Sequence, residues 1–156
     1  MEIGKKAPKF NSIDHTGETI ASKDLQGQAY ILFFYPRDNT SGCTKEAIGF
    51  SEQKTEFEEL GVKIFGVSKD SVKSHVKFIE KQGLTVPLLS DENGTMCEDF
   101  GVWKEKSMYG KTYFGIERST FLISSDGKLV AEWRKVKVPG HVKAVLDTVK
   151  EHADAL

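Results

Sequence analysis

The stretch AYILFFYPRDNTSGCTKE, residues 29–46, decides how the chain folds. It opens on a continuous apolar run, Ala29 to Tyr35. The length and aromatic content of that run fit a central strand covered on both faces. Pro36 ends it. A polar turn follows, and a helix is expected from about Ser41 or Cys43 to Leu60, with Gly61 stopping it. The apolar positions Cys43, Ala47, Phe50, Phe57 and Leu60 fall in one stripe roughly 140° wide. Cys43, one of two cysteines in the chain, therefore stands where a central strand hands over to a helix.

Outward from this junction the elements alternate. Lys5 to Leu25 reads as a short β-hairpin region turning at Asp14–Gly17, with a further turn at Asp24–Gly27. Val62–Val67 is a second strand. A second helix, capped by Asp70 or Ser71, puts Val72, Val76 and Ile79 on one face and ends at Gly83. A short strand over Val86–Leu89 leads to a short helix reaching about Phe100. Gly101 to Arg118 carries Trp103, Tyr109, Tyr113 and Phe114 among Gly and Lys. It is expected to be a long loop, and such loops are often functional. Ser119–Ile123 and Leu129–Val136 form a hairpin around Ser125–Gly127. A last helix, about Gly140 to His152, turns Val142, Val145, Leu146 and Val149 inward. Right-handed crossovers make the first strands parallel, and the terminal hairpin makes the sheet mixed. The expected fold is α/β: a thioredoxin-like, three-layer α/β/α sandwich with a central mixed sheet and an N-terminal β-hairpin, one domain over 1–156.

Composition narrows the function classes. The 156 residues carry 22 basic and 23 acidic side chains, a net charge of −1. That balance argues against a nucleic-acid arm or a patch for anionic membranes. No apolar run approaches the roughly 20 residues that cross a bilayer. Met1 to Phe10 has no apolar signal core, so a cytoplasmic protein is expected. Two cysteines are not a disulfide framework and are too few for a structural zinc site. His15, His75, His141 and His152 are scattered and expected at the surface, with no metal and no cofactor. Arg134–Lys137 is expected to be a solvated strand end.

Cys43 has two readings. As a small apolar residue on the core stripe it would be buried and inert. As the first residues of a helix beyond the carboxyl end of a central strand, it would sit where sites form in open α/β sheets. There the free N–H groups and positive end of the helix favour a thiolate. The helix-start position tips the reading toward reactivity. Gly42 would keep bulk away from the sulfur, Thr40 would offer a hydroxyl to a substrate oxygen, and Pro36 would stiffen the entrance.

Pro36, Thr40 and Cys43 match the Pro-x-x-x-Thr-x-x-Cys signature of the peroxiredoxins. The longer string from Tyr35 to Ala47 resembles the peroxiredoxin Q branch, also called bacterioferritin comigratory protein. So do Gly101–Trp103, Gly110–Tyr113, and Arg118 just before Thr120–Ile123. The resemblance covers nearly the whole chain in order. It implies a thiol peroxidase for hydrogen peroxide and organic hydroperoxides, with Cys43 as the peroxidatic cysteine passing through a sulfenic acid. Thr40 and backbone N–H groups would hold the peroxide in line. Arg118 would stabilise the thiolate and the charge developing on the peroxide oxygens, and Glu46 would orient Arg118. Glu46 also fits an ordinary first-turn acid. The resemblance further implies a monomer.

The chain departs from the pattern in two places. Ser41 stands where a proline is common. Ile48 stands where many relatives place a resolving cysteine, and lies roughly 170° from the middle of the core stripe, on an exposed or loop-facing side. No cysteine falls between Val72 and Gly83, where a second subgroup places its resolver. Cys97 remains. It is either an atypical resolver, in a two-cysteine peroxidase, or core filler beside Met96 and Phe100; filler is favoured. The expected mechanism is then a one-cysteine one, with thioredoxin or glutathione/glutaredoxin as external reductant. A thioredoxin-like disulfide oxidoreductase is disfavoured because Glu46 stands where Cys-x-x-Cys needs its second thiol. A non-catalytic thioredoxin-fold binding or holdase module would rest on Ile48 and the aromatic stretch alone.

Overall fold

The computed structural model describes residues 1–156. Strand β3 (Ala29–Phe34) is buried along its whole length. It lies between β4 (Val62–Ser68), parallel, and β8 (Ser119–Ile123), antiparallel. A strand in that position needs apolar side chains on both faces, which is why its sequence does not alternate. Beyond β4 lie β5 (Leu88–Ser90), then the N-terminal hairpin of β1 (Asn11–Asp14) and β2 (Thr19–Ala21). Beyond β8 lies β9 (Leu129–Trp133). The sheet order is β2-β1-β5-β4-β3-β8-β9.

Alternation along β3 splits the core in two. Ile31, Phe33 and Tyr35 join an apolar layer with α1 (Ser41–Glu59), α2 (Val72–Gln82) and α4 (His141–His152). Tyr30, Leu32 and Phe34 join a second layer with Phe10, Leu25 and the four-residue α3 (Met96–Asp99). The result is the expected thioredoxin-like α/β/α arrangement around a mixed sheet, with one helical layer much thinner than the other. No helix is long and apolar enough to cross a membrane.

Four sequence expectations need correction. Gly101 to Arg118 is not a loop: β6 (Trp103–Met108) and β7 (Lys111–Ile116) form a separate two-stranded ribbon. Its turn is Tyr109–Gly110, both with positive φ, 53° and 78°. That is the two-residue hairpin geometry usually written Asn-Gly, and a tyrosine at its first position hid it. The α2 face that is fully buried belongs to His75 and Phe78, while Val72, Val76 and Ile79 are half-buried. Ile48 is half-buried against the core rather than turned to solvent. At its neighbour Gly49, a β-carbon would stand 3.0 Å from Val142 Cγ2, so glycine lets α4 cross α1 closely. Lastly, β9 stops at Trp133. Arg134 folds back to donate to the Phe100 and Gly101 carbonyls at 3.2 and 3.1 Å, with its guanidinium over the Phe121 ring.

Candidate active site

The loop from Tyr35 to Thr40 is tied down before the helix begins. The Tyr35 hydroxyl donates to Asp38 Oδ1 at 2.6 Å. Asp38 Oδ2 accepts from Ser74 Oγ and lies against His75 Nδ1, both at 2.8 Å. The Asp38 N–H donates to Asp70 Oδ2, which also takes the Ser68 hydroxyl. The other ring nitrogen of His75 donates to the Leu89 carbonyl, which can only accept, at 2.9 Å. Asp38 and His75 are both buried. This clamp joins the loop to β4, β5 and α2. The ligand-type atoms of Asp38, Asp70 and His75 lie within 4.8 Å of one another, but each is already engaged by protein hydrogen bonds. The cluster reads as a clamp.

Helix α1 starts at Ser41, and its first backbone bond runs from the Thr44 N–H to the Thr40 carbonyl at 2.9 Å. The N–H groups of Ser41, Gly42 and Cys43 precede that bond and point out of the helix end. Thr40 is the cap residue, but its hydroxyl does not cap the helix; it donates to the Arg37 carbonyl at 2.9 Å. Pro36 is exposed at the mouth of the loop and Thr40 is half-buried.

Cys43 is 1% exposed. Arg118, in the connection between β7 and β8, forks across it. Nη2 donates to Cys43 Sγ at 3.3 Å and Nη1 to Glu46 Oε1 at 2.6 Å. The guanidinium is held charged: burial opposes the charge, but the facing Glu46 and Cys43 outweigh it and raise its pKa. Gly42 takes a role its sequence did not suggest. A β-carbon there would stand 3.1 Å from Arg118 Nη2, so glycine clears the approach of the arginine.

Glu46 is no ordinary first-turn acid. It is fully buried, and burial pushes its carboxyl up to about 7 against the pull of Arg118. Its second oxygen, Oε2, has no hydrogen-bond partner. His141 Nε2 lies 3.8 Å from it, beyond hydrogen-bond range. That nitrogen pairs instead with Thr120 Oγ1 at 2.7 Å. Burial, then the charge of Arg118, lowers the His141 ring to about 4. Edge-on contacts with Phe50 and Trp133 fix its plane.

The structure thus brings together Thr40, Cys43, Glu46 and Arg118, with Pro36 at the start of the same loop. The surface expected for all four histidines fails at His75 and His141, both buried. A histidine directly after the left-handed Gly140, opening the last helix, was the one available signal for His141. Cys97 is buried with Met96 and Phe100, as the filler reading expects. It lies in the apolar layer on the far side of the sheet from Cys43. Burial, then the nearby Asp91 carboxylate, pushes its thiol far above its usual range. Its N–H donates to Asp91 Oδ2 at 2.9 Å. A sheet stands between the two sulfurs, so the atypical-resolver alternative is not supported by this arrangement.

The aromatics of the ribbon are divided. Trp103 stacks on Phe114 and lies under Lys69. Tyr109, Tyr113 and Phe114 are exposed.

Comparisons with known proteins agree on one family. A family model described as the AhpC/TSA family matches residues 3–132. The chain is 47% identical to a Bacillus subtilis peroxiredoxin Bcp over 154 residues, covering 99% of this chain and 98% of that one. It is similar to a solved structure of a Xylella fastidiosa PrxQ mutant, with TM-score 0.93, 42% identity and 98% of each chain covered. It is also similar to the Xanthomonas campestris bacterioferritin comigratory protein, in a ligand-complex study of alkyl peroxide reduction. There the TM-score is 0.88, the identity 47%, and 92% of each chain is covered.

Proposed function

Because this chain belongs to the AhpC/TSA family and is a peroxiredoxin of the Bcp type, we propose that its thiol-dependent peroxidase activity runs through Cys43. The observation that carries this reading is the Arg118 fork, one arm on Cys43 Sγ and the other on Glu46 Oε1. The Cys43 thiolate attacks the nearer peroxide oxygen, a sulfur–oxygen bond forms and the oxygen–oxygen bond breaks. The departing oxygen takes up a proton and leaves as water or an alcohol, and Cys43 becomes a sulfenic acid. Arg118 neutralises charge on the sulfur and on the oxygens as the bond breaks. The free N–H groups of the first turn of α1 offer further fixed donors. The Thr40 hydroxyl, now on the Arg37 carbonyl, keeps lone pairs with which to accept from a peroxide O–H. Pro36 borders the entrance. Glu46 acts through Arg118.

The substrates we propose are hydrogen peroxide and organic hydroperoxides, in keeping with the alkyl peroxide reduction described for the Xanthomonas campestris relative. With Cys97 across the sheet, the sulfenic acid is reduced by an external thiol, thioredoxin or glutathione with glutaredoxin. We read the chain as one domain, as a monomer on the strength of the family resemblance, and as cytoplasmic because its cysteines are sparse.

Two experiments test this. Cys43→Ser should abolish peroxide consumption; a retained rate would remove Cys43 from the chemistry. Mass spectrometry without reductant, after one equivalent of peroxide, should find a sulfenic acid at Cys43. A Cys43–Cys97 disulfide would overturn the one-cysteine mechanism.

A further inference from the structure

A cavity of about 910 Å³ opens at the end of the sheet where β3 begins. Cys43 lies beyond the other end of the same six-residue strand, about 20 Å away. The cavity floor is Phe10, Leu25 and Tyr30, all buried members of the apolar layer opposite Cys43. Lys6, Lys9 and Lys23 stand exposed around its rim. The only acid lining it, Asp126, is already engaged by Ser124 and by Lys128.

Tyr30 is the second observation. The residue is 3% exposed and packs edge-on to Phe10 with ring centroids 6.1 Å apart. Buried tyrosines normally give their hydroxyl a partner, and Tyr35, on the other face, does so through Asp38. The Tyr30 hydroxyl makes no hydrogen bond to the protein, and the residue lines the cavity. Burial alone accounts for its pKa being raised to about 12, so it stays a donor at neutral pH. Lys6 Nζ donates to the Asp126 carbonyl, which leaves Lys9 and Lys23 free; an apolar floor, one free donor and two free cations make up a set that one kind of ligand satisfies. The volume also lies in the range of small-molecule sites.

We propose that this cavity is a second binding site, separate from the peroxidase centre, for a small organic anion with an apolar body. The body packs on Phe10 and Leu25, the Tyr30 hydroxyl donates to the anionic head, and Lys9 and Lys23 neutralise it. The site needs no part of the Cys43 chemistry.

The probe is 8-anilinonaphthalene-1-sulfonate, followed by fluorescence titration of the full chain. Its uncharged counterpart N-phenyl-1-naphthylamine, the same rings without the sulfonate, is the control. Saturable one-site binding of the sulfonate is expected, with the neutral compound about tenfold weaker. Tyr30→Phe should weaken the sulfonate about fivefold, and Lys9→Ala with Lys23→Ala by about the same. Circular dichroism checks that both variants fold, and saturating sulfonate should leave peroxide consumption unchanged. Absence of saturable binding overturns the proposal. So does equal affinity for the neutral compound, unchanged affinity in either variant, or inhibition of the peroxidase.

Discussion

Glu46 Oε2 and His141 Nε2 face each other at 3.8 Å inside the layer between α1 and α4, and no hydrogen bond joins them. Both groups are held near neutrality by burial, the carboxyl raised to about 7 and the ring lowered to about 4. Their ordinary values are 4.5 and 6.5. Between about 4.5 and 7 the folded chain keeps a proton on Glu46 that the unfolded chain releases. Stability from that group is therefore lost as pH rises through this window. His141 runs the other way: the unfolded ring takes up a proton below 6.5, so its contribution is lost as pH falls toward 4. The two trends oppose each other. His141→Gln removes the His141 contribution and leaves the Glu46 slope, so its stability relative to the parent should fall as pH rises from about 4 to 6.5. Glu46→Gln should expose the opposite slope. Urea midpoints across that range check both signs.

The same carboxyl should mark the activity profile. Above about 7 Glu46 is ionised and its bond to Arg118 is charge-assisted; below it the bond weakens. Peroxide kcat/KM should therefore fall as pH drops through 7. Glu46→Gln should remove that inflection while keeping a hydrogen-bonding group in place. Stopped-flow rates from pH 5 to 9 would read it.

Arg118→Lys should not rescue the fork. A lysine is a point charge and cannot hold Glu46 Oε1 and Cys43 Sγ through two arms of one planar group. A loss of about 10²–10³ in kcat/KM is expected for removing such a donor. Gly42→Ala tests the same contact from the helix side. Its β-carbon would press on Nη2 at 3.1 Å, and displacing the guanidinium should cost about tenfold. Steady-state peroxide consumption measures both, and an undiminished rate in Arg118→Lys would sink the proposed role.

The clamp under the active-site loop is a stability element. His75→Leu leaves Asp38 buried without its ring partner. That should cost about 3–5 kcal/mol. Tyr35→Phe removes one hydroxyl from the same carboxylate and should cost about 1–2 kcal/mol. Denaturant unfolding ranks the two.

At the tip of the ribbon, Tyr109 holds a left-handed backbone at φ 53° with its side chain exposed. Asparagine tolerates that conformation better. Tyr109→Asn should raise stability by about 1 kcal/mol, with peroxidase activity unchanged. A thermal melt is sufficient.

The central strand β3, the mixed sheet and the start of α1 were legible because they rest on long apolar runs and plain stop signals: Pro36, Gly61, Gly83. Cys43, Glu46 and Arg118 could be grouped only through a family resemblance, since 72 residues separate Glu46 from Arg118. The ribbon was missed because it buries little. Lys104, Glu105 and Tyr113 face solvent, so no alternation of apolar and polar residues survives to mark a strand. His75 and His141 were missed because burial of a histidine depends on partners brought from elsewhere: Asp38 and Leu89 for one, Thr120 for the other.

With Cys97 walled off behind β3, the proposed mechanism leaves each chain one thiol, Cys43, for its chemistry. Under the one-cysteine mechanism the molecule is a stoichiometric device until a thiol arrives from outside. Without reductant, turnover should stop after about one peroxide per chain, and further oxidant would only carry Cys43 on to the sulfinic and sulfonic acids. The rate of protection would then be set by how often a reducing partner reaches the loop at Pro36. The supply of reductant, rather than the reactivity of the sulfur, would limit the throughput.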